Sequence, residues 1–192
     1  MGHMTLPDVQ SRTTQDALLR QVPTDETFFR TAIDEVSTAL DDARGRNDAE
    51  EVVRLSGFLG ETYRILGDLE MAEQLVEEAL RVASGSEAIR PVVANLIRLG
   101  EIYRCDNRFD EATYHLLKAI SLPQDPDDDI YRDFALQHLG KVLINDGQFD
   151  EACGVLEMAL EIRQSRGDDA LIASTSDALA CARGKRGALT PA

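Results

Sequence analysis

Asp125, Asp127 and Asp129 alternate along the chain as the first ligands of a helix-loop-helix calcium site do. Such a loop also needs a glycine at its sixth position for the sharp turn and a glutamate at its twelfth to grip the ion. Those positions hold Ile130 and Leu136. The run therefore reads as a proline-broken turn whose aspartates start the next helix, where the helix dipole favours them. Three histidines occur, at His3, His115 and His138, and none has a helix-spaced histidine or cysteine that would complete a metal site. No Gly-x-Ser-x-Gly nucleophile turn and no phosphate-cradling glycine loop is present. Ser84-Gly85-Ser86 reads as a turn with Ser86 capping the helix that follows. The expectation is no catalytic residue, no metal, no cofactor and no enzyme activity.

The strongest signal is periodic. Leu59-Gly60 recurs as Leu99-Gly100 and Leu139-Gly140, forty residues apart each time. Leu59-Gly60-Glu61-Thr62-Tyr63 aligns with Leu99-Gly100-Glu101-Ile102-Tyr103. Ala72, Ala112 and Ala152 keep the register, as do Ala79-Leu80, Ala119-Ile120 and Ala159-Leu160. One step further back stand Ala32 and Ala39-Leu40. A fixed period of this size marks an array of like units.

Each unit reads as two helices. Leu55, Phe58, Leu59 and Thr62 mark one face of the first, and Leu69, Ala72, Leu75, Val76 and Ala79 one face of the second, at helical spacing. The turns at Gly67-Asp68, Asn107-Arg108 and Gly147-Gln148 begin with residues suited to a left-handed helix end. Glycine inside a helix costs roughly 1 kcal/mol relative to alanine. Gly60, Gly100 and Gly140 therefore imply close approach of the paired helix near Ala72, Ala112 and Ala152.

This pattern resembles the tetratricopeptide repeat, in a long-repeat form of about 40 residues rather than the common period of about 34. The family's marks cover roughly Asp48 to Arg166. The chain departs from them at Ser56, Leu96 and Leu136, where a tryptophan is frequent, at Leu143, where a tyrosine is expected, and in the unit-closing proline, which survives only as Pro123. The resemblance implies an all-α fold, a right-handed superhelix of antiparallel helix pairs. Residues 1–12 read as an expression scar (Met1-Gly2-His3-Met4) and flexible N-terminus. One repeat domain spans 13–184, with a degenerate unit at 13–46, whose second helix is Phe29 to Asp42, and units at 47–85, 86–125 and 126–166. A capping helix follows at 168–184 and a flexible tail at 185–192.

In the family, the first helices of successive units line a concave groove that holds a peptide or a partner helix. Helical spacing then selects Arg54, Phe58, Glu61 and Ile65 in one unit, Ala94, Arg98, Glu101 and Cys105 in the next, and Phe134, His138, Lys141 and Asn145 after that, with Arg64, Arg104 and Ile144 at the edge. Five cations (Arg54, Arg64, Arg98, Arg104, Lys141) face two anions (Glu61, Glu101), an excess of three in a chain whose net charge is −15. Arginine suits fork-like binding of carboxylates, so the expected ligand is an acidic segment with apolar anchors at Phe58 and Phe134. The competing reading is a ladder of exposed ion pairs of little energetic worth. One subset of the family clamps a chaperone's terminal carboxylate with asparagines, lysines and an arginine. At the matching places this chain has Gly57, Glu61, Arg98, Phe134 and His138, so that activity is not carried over.

Composition bounds the rest. The chain of 192 residues is 43% hydrophobic, enough for one continuous core. No apolar run is long enough for a membrane span, and no secretory signal follows Met4. Cys105, Cys153 and Cys181 form no close-spaced pair, which favours reduced thiols and a cytoplasmic location. A pI near 4.5 disfavours nucleic acid and anionic membranes as partners. The function expected is a protein–protein interaction module, a scaffold or the ligand-sensing part of a regulator, existing as a monomer or weak homodimer. The alternative is self-association through incomplete repeat ends.

Overall fold

The computed structural model describes residues 4–122 and 131–189. Among these residues eight helices follow one another: α1 (Glu26–Gly45), α2 (Ala49–Leu66), α3 (Leu69–Ala83), α4 (Ile89–Cys105), α5 (Phe109–Ser121), α6 (Arg132–Asn145), α7 (Phe149–Arg166) and α8 (Asp169–Leu189). Consecutive helices pack on each other throughout. In addition α2 lies beside α4, α4 beside α6, and α6 beside α8. These four form an inner layer, and α1, α3, α5 and α7 form the outer one. The architecture is an all-α solenoid.

Local chemistry sets the helix limits. Asp48, Asp68 and Asp25 accept hydrogen bonds from the first free amides of α2, α3 and α1. Gly67, Asn107 and Gly147 have φ of 86°, 60° and 83°, so the three turns close in the left-handed region as their residue types imply. Ser86 does not cap α4. Its hydroxyl bonds the Ala83 carbonyl and the Ala88 amide within the turn, and α4 starts three residues later, after Ala88.

The repeated glycines do mark close approach, at Gly60 against both Ala72 and Val76 and at Gly100 and Gly140 one helical turn beyond the alanines. A methyl group at Gly100 would lie 2.5 Å from Leu116 Cγ, and one at Gly140 would lie 2.5 Å from Leu156 Cγ. At Gly60 it would overlap Val76. Val76, Leu116 and Leu156 are themselves forty residues apart. Ala72, Ala112 and Ala152 are fully buried in the same seams.

Two stretches differ from the sequence expectation. In place of a first helix for the opening unit, a short 3-10 turn (Gln10–Arg12) leads into a hairpin of β1 (Thr13–Gln15) and β2 (Gln21–Pro23). Residues 4–12 are not a loose leader: Val9 is buried in the core with Phe29, Val52 and Phe58. At the other end α8 runs on to Leu189, into the stretch expected as a tail, with Ala178, Leu179 and Ala182 buried as part of the main core. Pro123, Asp125, Asp127, Asp129 and Ile130 lie outside the described residues, as do His3 and residues 190–192.

Candidate functional site: the concave face

The inner layer concentrates charge where a solenoid ordinarily has an exposed groove. Three ion pairs repeat along it, each between residues three apart on one helix: Glu51 with Arg54 at 2.6 Å, Glu61 with Arg64 at 2.7 Å, and Glu101 with Arg104 at 2.9 Å. The second and third are in register across the forty-residue step. Glu51 extends the series and was missed by the sequence reading, although its spacing from Arg54 is that of the other two pairs.

Arg64 and Arg104 are not at the groove edge. They are 3% and 1% exposed, on its floor. What covers them is the chain's own N-terminal segment. Arg104 donates to the Leu18 carbonyl at 2.9 Å and the Leu19 carbonyl at 3.3 Å, and also to Asn145 Oδ1 at 2.8 Å. Arg64 donates to Gln21 Oε1 at 2.6 Å, and Gln10 donates from its amide to Glu61 Oε1 at 3.2 Å. Asp16 holds the hairpin turn in shape by accepting from the Leu18 and Arg20 amides and the Arg20 guanidinium. Little in the residue types marks this hairpin: its turn holds no glycine, and Leu19 takes the left-handed conformation with φ 59°.

Burial and pairing act on the acids in opposite senses. Burial raises the Glu61 pKa, but Arg64 and, more weakly, Arg98 outweigh it and bring it down to about 2. For Glu101 burial is again the largest influence, and Arg104 with His138 overcomes it to hold the carboxyl well below its ordinary range. His138 Nδ1 stands 2.6 Å from Glu101 Oε1. Burial nonetheless lowers the His138 pKa, so the imidazole is neutral near pH 7.

Two cations stand outside the ion-pair series. Arg98 donates to Asn95 Oδ1 at 3.1 Å, and Lys141 is 7% exposed; neither has a carboxylate within ion-pair distance among the described residues. Counting all three acids, the face carries five cations and three anions, an excess of two rather than the three expected from sequence. The apolar anchors also differ from expectation. Phe58 is only 9% exposed, whereas Phe134 is half-buried beneath the Arg163 guanidinium, 4.9 Å from its ring centre. Arg163 itself is buried and bonded to Asp133, Gln137, Thr175 and the Leu171 carbonyl, tying α6, α7 and α8 together.

The N-terminal segment leaves two open hollows on the concave face. One, of about 450 Å³, lies between residues 6–10 and the Arg54, Phe58 and Asn95 side chains. The other, of about 490 Å³, is bounded by Gln15 and Gln21 on one side and by Tyr131, Phe134, His138 and Lys141 on the other. Arg98 borders both. Among the described residues no cluster of three or more His, Cys, Asp or Glu could hold a metal, and no helix is long and apolar enough to cross a membrane.

The repeat geometry has relatives. Two family models, both for the tetratricopeptide repeat, match residues 51–125 and 135–170. The chain belongs to the tetratricopeptide repeat family. Its fold is similar to the crystal structure of BtubC (BKLC) from P. vanneervenii, with a TM-score of 0.71 and 23% identity over 84% of this chain and 68% of that one. It is also similar to TPR-like repeats from Podosopora anserina assigned to a kinesin light chain, with a TM-score of 0.63 and 17% identity over 84% and 80% of the two chains. Among curated proteins none matches the sequence significantly. Tetratricopeptide repeats are in general non-catalytic interaction modules, and this chain is built as a protein–protein interaction scaffold.

Proposed function

We propose that the concave face takes an acidic, extended segment of a protein partner, laid beside the resident N-terminal hairpin and anchored by apolar side chains against Phe134 and Tyr131. The observation that carries this reading is that the face already holds an extended piece of chain. Arg64 and Arg104 bind the hairpin through carbonyl and amide oxygens, as they would bind a peptide. The hollow between the hairpin and α6 is the space that remains, and of the charges bordering it Glu61 and Glu101 are taken up by Arg64 and Arg104 while Arg98 and Lys141 have no carboxylate partner among the described residues. Complementary charge speeds encounter and selects the partner, while aromatic contacts hold the complex. Binding weakens as salt rises, since screening acts within about 8–10 Å near physiological ionic strength.

Site-specific photo-crosslinking tests the reading. A benzoylphenylalanine at position 134 reports on the concave face, and one at position 114, where Tyr114 is 60% exposed on the outer layer, reports on the convex face. The expected result is a partner joined at 134 and not at 114. The reverse pattern would place the interaction on the outer helices and overturn the proposal.

A further inference from the structure

Lys141 is the anomaly of the inner layer. A lysine more than nine-tenths buried ordinarily has a carboxylate or several oxygen acceptors around its ammonium. Among the described residues this one has no hydrogen bond and no carboxylate within ion-pair distance, and its side chain borders the larger hollow. Burial pulls its pKa down; Glu101 opposes that at longer range, while Arg104, Arg64 and Arg163 add to it. Across the same hollow stands Arg98, also outside any ion pair. Its guanidinium has room because residue 57 is glycine: a methyl group there would lie 3.1 Å from Arg98 Nη1.

These two cations are the surplus of the concave face. The other three, Arg54, Arg64 and Arg104, each have a glutamate on their own helix, one turn earlier. The surplus is gathered at one hollow rather than spread over the surface. The rest of the wall is mixed, and it includes Glu61 and Glu101, whose charges are met by Arg64 and Arg104. Tyr131 and Phe134 offer aromatic surface, Ile97 and Leu171 aliphatic surface, and Gln15 an amide. A volume of about 490 Å³ is in the range of small-ligand pockets.

We infer that this hollow is a carboxylate site: a compact organic acid, or an acidic side chain beside an aromatic residue, sits with one or two carboxylates between Arg98 and Lys141 and its apolar body against Phe134 and Tyr131. The inference rests on the concave-face reading above and fixes its chemistry at one point. Arg98 supplies a planar fork suited to a carboxylate, and Lys141 a compact charge for its second oxygen or for a second acid group.

The test titrates the full chain with phenylsuccinate, a dicarboxylate bearing one aromatic ring, and follows binding by heteronuclear NMR. Saturable shifts are expected at Phe134, Tyr131 and Lys141. Lys141→Met and Arg98→Gln should each weaken binding by about tenfold or more, the usual worth of a charge-assisted contact, and Tyr114→Ala should leave it unchanged. Lys141→Met should also melt at the same or a higher temperature, which a lysine with a structural role would not do. Unsaturable titration, binding unaltered in both variants, or inorganic phosphate bound as tightly as phenylsuccinate would each overturn the inference. A blocked acetyl-Asp-Phe-Asp-amide peptide separates the two sources. If it binds more tightly, with the same dependence on Lys141, the carboxylate belongs to a peptide side chain; the opposite order assigns it to a free acid. Phenylsuccinate binding in a protein that shows no crosslink at position 134 would sink the protein-partner reading and leave the carboxylate site standing.

Discussion

Arg104, in the middle of the inner layer, hydrogen-bonds the Leu18 carbonyl at the tip of the N-terminal hairpin across 2.9 Å. The two residues are 86 apart in sequence. The contact joins the least repetitive part of the chain to the most repetitive, and it sets what the concave face can offer a ligand. Arginines that the repeat pattern places in an open groove are spent on the chain itself, and the free positive charge moves to Arg98 and Lys141.

Arg104→Gln tests how much depends on that residue. The variant leaves Glu101 buried without its guanidinium and leaves the Leu18 and Leu19 carbonyls and Asn145 short of a donor. Removing one partner of a buried pair typically costs about 3–5 kcal/mol. Denaturant unfolding should show a loss of that order, together with faster amide exchange in residues 13–23. A loss below about 1 kcal/mol, the ceiling for most exposed pairs, would mean that Arg104 is solvated rather than held.

The glycine seam gives a paired prediction. Gly100→Ala sets a methyl group 2.5 Å from Leu116 Cγ, so the helices must part or Leu116 must move. Overpacking of this kind costs about 1–3 kcal/mol. Gly154→Ala, on the exposed side of α7 with nothing within 4 Å, is its opposite and should stabilise by about 0.5–1 kcal/mol through helix propensity. Thermal melts of the two should move in opposite directions. Equal shifts would show that position 100 is not a packing site.

The seam was legible in sequence because close packing leaves a mark on residue type: only glycine fits at 60, 100 and 140, and it recurs at a fixed step. The left-handed turns were legible for the same reason. Which residue the glycines touch was not, because alanine and leucine in α5 both obey the period. The hairpin was hidden because its turn is closed by the Asp16 side chain rather than by glycine. The helices that the spacing assigns to the groove are those of the inner layer, but spacing along a helix cannot show that another segment lies on top. The three Glu-x-x-Arg steps at Glu51, Glu61 and Glu101 were a usable signal of which arginines are already paired.

Acid should unfold the protein in two stages with one sign. His138 titrates below its ordinary 6.5, so it contributes stability that is present above that pH and lost as pH falls below it. Glu61, brought from 4.5 to about 2, contributes stability that is present above pH 4.5 and lost as pH falls toward 2. Glu101 adds to the lower stage, its pKa being depressed in the same sense. Denaturant midpoints measured from pH 7.5 to 3 should decline gently through the histidine range and more steeply below 4.5. In His138→Gln the upper limb should shrink to the share left by His115, whose pKa is lowered in the same sense, and the lower limb should weaken, since His138 no longer helps hold the Glu101 carboxyl down. A midpoint that rises on acidification between pH 7 and 5.5 would contradict the neutral imidazole.

The terminal helix carries the last prediction. α8 packs on α7, with Ala178, Leu179 and Ala182 buried in the same core as Cys153 and Leu156, and it supplies Thr175 and the Leu171 carbonyl to the buried Arg163. A chain ending at Gly167 therefore has two defects, an exposed apolar stripe and a buried guanidinium stripped of two acceptors. Terminal repeats of stacked arrays need such a cover to stay soluble. Light scattering at micromolar concentration should show the truncated chain dimerising or aggregating, with a lowered melting temperature. Arg163→Met in the truncated chain separates the two defects. It should lower the melting temperature further, since buried Asp133 loses its Arg163 partner, and leave the association unchanged, since the apolar stripe remains. A truncated chain that stays monomeric and melts where the full chain does would show that α8 is an appendage and that the array closes at α7.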